Sequence, residues 1–143
     1  MHLDELLNAP VAPTTKGWPA RAGALPLGAA GRQGWNLLRE DLPLPVAVLK
    51  GSALAHNGRW MRGFLEQFDV RLCPHGKTTM APQLFARQLA DGAWGITVAT
   101  VQQLMVCRRF GVPRVLMANQ LVGREAIRTV LAELQADQLV GHE

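Results

Sequence analysis

The stretch Trp94-Gly95-Ile96-Thr97-Val98-Ala99-Thr100-Val101-Gln102-Gln103-Leu104-Met105, with a second apolar run at Val115-Leu116-Met117-Ala118, decides the fold. Trp94 to Ala99 reads as a strand. Thr100 and Gln103 then form a capping box, and Val101, Leu104, Met105 and Arg108 keep helical spacing until Gly111. Val115 to Ala118 reads as the next strand. Strand, helix and strand in that order make a βαβ unit.

The same alternation extends in both directions. Upstream, Val46-Ala47-Val48-Leu49 reads as a buried strand, and Ser52 as the cap of a helix with Leu54, Met61, Phe64, Leu65 and Phe68 on one stripe. A short strand, Val70 to Cys73, precedes Pro74-His75-Gly76-Lys77-Thr78. The next helix has Pro82 in its first turn, Leu84, Phe85 and Leu89 inward, and Gly92 as its stop. Downstream, Ile127, Val130, Leu131 and Leu134 mark a fourth helix, and Gln138-Leu139-Val140 reads as the start of a fifth strand. Four strand–helix alternations predict an α/β sheet or barrel. A complete (β/α)₈ barrel needs about 200 residues or more, so 143 residues hold only part of one.

Residues 1–41 differ. Four prolines and five glycines punctuate them too densely for long elements. They read as an irregular arm, with a short helix at Gln33 to Arg39, leaving residues 42–143 as the regular domain.

Composition narrows the function classes. The hydrophobic share of 48% supplies a core and argues against disorder. No run approaches the ~20 apolar residues of a membrane span, and the acidic start Met1-His2-Leu3-Asp4-Glu5 is not that of a signal peptide. Two lone cysteines, Cys73 and Cys107, exclude a disulfide scaffold and suit a reducing compartment, so a cytoplasmic location is expected. The net charge of +4 comes from scattered arginines without interleaved aromatics. It reads as a solvated surface rather than a nucleic-acid footprint.

Most motifs for chemistry fail. Gly76-Lys77-Thr78 looks like the end of a phosphate-binding P-loop, but Arg71 stands where the first glycine is required. His2, His56, His75 and His142 are far apart, and Cys73-Pro74-His75 lacks a second cluster for a metal. Lys77 stands out. It is one of three lysines, with Lys16 and Lys50, and lies just past a strand's carboxyl end, where α/β folds place their chemistry. If the strand runs on, His75 and Lys77 share a face. A partly desolvated lysine there has a lowered pKa and can attack an aldehyde or ketone. The bland alternative is an exposed loop lysine beside a turn histidine.

Three linked motifs change that balance. Pro74-His75-Gly76-Lys77-Thr78, Gly92-Ala93-Trp94-Gly95-Ile96-Thr97-Val98-Ala99-Thr100 and Leu116-Met117-Ala118-Asn119-Gln120-Leu121-Val122-Gly123 resemble, in order and spacing, the D-threonine aldolase and D-serine dehydratase (D-serine deaminase) family. These are pyridoxal-phosphate enzymes on the alanine-racemase-type, fold type III barrel. The resemblance runs from about Leu42 to Ala132 and implies the first half of a (β/α)₈ barrel of the TIM type. It implies that Lys77 carries pyridoxal phosphate as a Schiff base and that His75 lines the cofactor pocket. Asn119 and Gln120, at the end of the fourth strand, face the same mouth in this reading.

The implied substrate is a D-amino acid with a β-hydroxyl. The sequence reading puts first a deaminase that turns D-serine into keto acid and ammonia. Second is an aldolase cleaving D-threonine to glycine and an aldehyde; third, a non-catalytic carrier of the cofactor. Thr79-Met80 replace the His-Lys common in the family after the motif threonine, which touches substrate preference. The family's phosphate cup, its ligands for a divalent metal where one is used, and its carboxy-terminal β-domain all lie later than residue 143. The 143 residues alone are therefore expected to be inactive, and a homodimer is expected of the full-length form, without nucleic-acid or membrane partners.

Overall fold

A computed structural model describes residues 1–140 of the chain. They divide into two compact units, one built from residues 2–57 and one from residue 58 onward.

The first unit has little regular structure, as the proline and glycine density requires. It contains helix α1 (Asp4–Asn8) and two strands, β1 (Pro10–Val11) and β2 (Leu25–Pro26), paired antiparallel with Val11 opposite Leu25. Trp18 is its buried anchor: it meets Trp35 edge-on at 5.1 Å, and its indole N–H donates to the Gly23 carbonyl at 2.8 Å. The helix expected at Gln33 to Arg39 shrinks to one 3₁₀ turn, Leu37–Arg39. Gly34, with φ at 68°, and Asn36, whose side chain accepts from the Leu38 and Arg39 N–H groups, make a turn instead.

Val46 to Leu49, expected as a buried strand, lie outside every strand, with Val48 and Leu49 well exposed. A buried strand needs ladder partners on both edges, and none of the described segments pairs here. Pro43 and Pro45, just upstream, have no N–H to give one. Helix α2 (Gly51–Phe68) follows as expected, but its first turn closes on Lys50, whose carbonyl accepts from the Leu54 N–H, not on Ser52. No α2 residue is buried. Leu54, Met61 and Leu65 are half-buried, whereas Phe64 and Phe68 stack outside with Trp60.

The second unit holds the βαβ unit. Helix α3 (Pro82–Ala90) starts with its proline at the first position and ends at Gly92, whose φ of 98° only glycine adopts freely. Strand β3 (Ile96–Val98) leads into helix α4 (Val101–Arg109), then strand β4 (Val115–Met117) and helix α5 (Arg124–Val140). β3 and β4 are parallel, with Thr97 opposite Leu116. On β3's other side the chain at 72–76 runs parallel to it. The Trp94 N–H donates to the Leu72 carbonyl, the Thr97 N–H to the Pro74 carbonyl, and the Gly76 N–H to the Thr97 carbonyl, each at 2.8 Å. The strand expected at Val70 to Cys73 is thus displaced toward a single bridge of His75 with Thr97. Pro74 cannot donate, so no longer ladder forms.

β3 is therefore central and buried on both faces. Phe85, Ile96, Val98, Cys107 and Val112 form the core, with Met80, Leu89, Leu104, Val115 and Met117 packed against it. The α/β class and the parallel pairing are as expected. Four strands of a half barrel are not formed among the described residues, where the parallel ladder comprises β3 and β4 alone. Residues 138–140 belong to the end of α5, not a fifth strand. No glycine or proline separates Gly123 from Gly141, so nothing in the sequence stops the helix earlier.

Candidate functional site

The parallel arrangement brings the carboxyl ends of the 72–76 segment, β3 and β4 to one side of the sheet. All four residues singled out from the sequence lie there. His75 is exposed at its bridge to Thr97. Lys77 is exposed on the turn that follows. Asn119 and Gln120 are exposed just past β4. The turn begins as soon as the pairing ends, so the shared strand face expected for His75 and Lys77 does not exist. Nor is the amine desolvated: Lys77 stands in solvent, and no carboxylate among the described residues pairs with it.

What fixes the Lys77 turn is the residue before it. Gly76 is buried, and a Cβ there would stand 2.7 Å from Ile96 Cγ2 and 2.8 Å from the Phe85 ring. Only glycine lets the backbone come that close to the core. The Met80 N–H donates to the Gly76 carbonyl at 2.9 Å, closing the turn. Met80 itself takes a left-handed φ of 40°. That conformation costs a residue with a side chain about 1–2 kcal/mol, which the packing of Met80 on the core helps to offset. Thr97 adds a clamp, its hydroxyl donating to the Cys73 carbonyl at 2.6 Å.

Two side-chain amides link the three strand ends. Gln103 Oε1 accepts from the Ala99 N–H at 2.8 Å, while Gln103 Nε2 donates to the Lys77 carbonyl at 3.4 Å. Asn119 Nδ2 donates to the Ala99 carbonyl at 3.2 Å, and its Oδ1 accepts from the Gln120 N–H at 3.0 Å. The expected capping bond is also present, with Thr100 Oγ1 accepting from the Gln103 N–H at 3.3 Å. The sequence marked Gln103 as a helix cap and nothing more. Its reach to Lys77 depends on a contact 26 residues apart that no local pattern encodes.

Beside these ends lies a cavity of about 370 Å³ bordered by Thr100, Met117, Asn119, Gln120, Leu121 and Thr129, among others. Among the described residues no three His, Cys, Asp or Glu side chains come together as a metal site, and no helix is long and apolar enough to cross a membrane.

No family model matches the chain. Over 103 residues, 72% of this chain, it is 34% identical to a D-threonine aldolase of Arthrobacter sp.. The crystal structure of D-threonine aldolase from Filomicrobium marinum superposes with a TM-score of 0.60 at 31% identity, over 62% of this chain. The chain spans only about a quarter of each: 26% of the first and 24% of the second. Sequence and fold agree, and the chain belongs to the D-threonine aldolase family.

Proposed function

We propose that this chain carries the cofactor-lysine part of a pyridoxal-phosphate lyase of D-threonine aldolase type, which cleaves a D-β-hydroxy amino acid to glycine and an aldehyde. The observation that carries the reading is Lys77. It lies on a turn packed at the carboxyl end of parallel strands, in a chain of this family. A lysine amine, once deprotonated, condenses with the aldehyde of the cofactor. When bound, pyridoxal phosphate supplies the electron sink for the charge left at Cα when the carbon–carbon bond breaks.

The chain's own residues orient and bind. Gly76 seats the start of the turn against Phe85 and Ile96, so the lysine that follows it starts from a fixed point. In this reading His75 borders the cofactor, and Asn119 and Gln120 line the same mouth. Both relatives are D-threonine aldolases, which favours retro-aldol cleavage over the dehydration expected from the sequence. A divalent metal belongs to the same proposal, with no residue of this chain assigned to it. So do residues 42–143 as the first part of a (β/α)₈ barrel behind a 1–41 arm, a homodimer of the full-length form, and a cytoplasmic location.

The test is to assay the product of the gene encoding this sequence, with pyridoxal phosphate and a divalent metal, on D- and L-threonine and D- and L-serine. Glycine and acetaldehyde from D-threonine support the aldolase. Pyruvate and ammonia from D-serine alone would restore the deaminase. Equal turnover of both enantiomers counts against either, and bound cofactor without turnover would mark a non-catalytic carrier.

A further inference from the structure

We propose that Gln103 is a positioning residue for Lys77, distinct from its part in capping α4. The Ala99 N–H is a donor, so it fixes which end of the Gln103 amide faces it: Oε1, at 2.8 Å. The NH₂ end is then turned to the Lys77 carbonyl, which is an acceptor, at 3.4 Å. Only an amide serves both. Helix capping needs the acceptor alone, and a carboxylate at the first turn of α4 does that as well or better. The donor half is thus surplus to the cap, and the Lys77 carbonyl is what it meets. Ala99 in turn receives Asn119 on its carbonyl. Gln103 thereby sets the height of the Lys77 turn against the ends of both strands. Its consequence for chemistry rests on the reading of Lys77 as the cofactor lysine; the tie itself does not.

Two substitutions separate the roles. Gln103→Glu keeps the acceptor for Ala99 and removes the donor to Lys77, while Gln103→Ala removes both. Hydrogen exchange on the 143-residue chain reads the tie. In Gln103→Glu the Met80 amide, which closes the turn on the Gly76 carbonyl, should exchange about threefold to fivefold faster, the loss expected for one hydrogen bond, while the first turn of α4 keeps its protection. In Gln103→Ala both segments should loosen. The second readout is the gene product reduced with borohydride in the presence of pyridoxal phosphate. There the share of label on Lys77, against Lys16 and Lys50, should fall in Gln103→Glu while the protein stays folded. Unchanged exchange at Met80 in Gln103→Glu would overturn the proposal and leave Gln103 a helix cap. A loosened turn with an unchanged Lys77 share would overturn the positioning role. If the unsubstituted protein shows no preference for Lys77 while Gln103→Glu loosens the turn, the cofactor reading falls and the tie stands.

Discussion

Gly76 packs against Phe85 so closely that a Cβ at position 76 would stand 2.8 Å from two atoms of the phenyl ring. Phe85 is only 1% exposed and cannot swing aside without opening the core. Gly76→Ala should therefore destabilise the fold by about 1–3 kcal/mol, the usual cost of overpacking. Phe85→Ala should cost about 3–5 kcal/mol through the cavity it leaves. Urea unfolding measures both. The pair should be non-additive, because Phe85→Ala opens space for the methyl group. Strict additivity would contradict the contact.

The two cysteines should behave differently. Burial, and then the neighbouring Cys73, push the Cys107 thiol up to about 11, whereas Cys73 is half-buried. At pH 8 one thiol, Cys73, should react with a thiol reagent under native conditions and two in denaturant. The neutral thiol of Cys107 is favoured in the fold, so the unfolded chain loses its proton first as pH rises. Its contribution is complete below the ordinary thiol value and is lost progressively toward pH 11. Cys107→Ala should flatten that alkaline part of the stability curve.

Asp41 has the opposite sign. The Asn36 N–H, aided by the Arg39 guanidinium, holds its carboxyl below the usual range. Its contribution is therefore complete above the ordinary carboxylate value and is lost as pH falls through the depressed one. Titration by NMR should give Asp41 a lower midpoint than in Asn36→Pro, which has no N–H at that position.

β4 pairs with β3 on one edge and has no strand partner on the other among the described residues. Leu116, at its centre, is about half exposed, and Leu131 and Leu134 on α5 are more so. An unpaired edge beside exposed leucines is a template for association. The 143-residue chain should form concentration-dependent oligomers in light scattering, and Leu116→Lys should shift them toward monomer. A monodisperse monomer at high concentration would go against this.

The sequence was most legible where one segment carries its whole environment. Ile96-Thr97-Val98 is β-branched throughout and is buried on both faces, and the stops at Gly92 and Gly111 are glycines with positive φ. Pro82 at the first position of α3 and Thr100 capping α4 were equally readable. Readings failed where the outcome depended on a partner. Val46 to Leu49 has a strand's composition but no strand beside it, and Pro74 cuts short the pairing expected from Val70. Lys77 was legible from its place past a strand end and from the motif words, and Asn119 from the motif words. The amide links through Gln103 and Ala99 that join them span 26 and 20 residues, which no local pattern encodes.

The central claim is that Lys77 holds the cofactor, and covalent trapping tests it most directly. The gene product, incubated with pyridoxal phosphate and reduced with borohydride, should carry the label on the peptide containing Lys77. The absorbance of the bound cofactor and the labelled peptide should both vanish in Lys77→Ala. Lys50, exposed at the start of α2, and Lys16, exposed in the arm, are the internal controls. Absorbance and labelling that persist unchanged in Lys77→Ala, with the label on Lys50 or Lys16, would contradict the account.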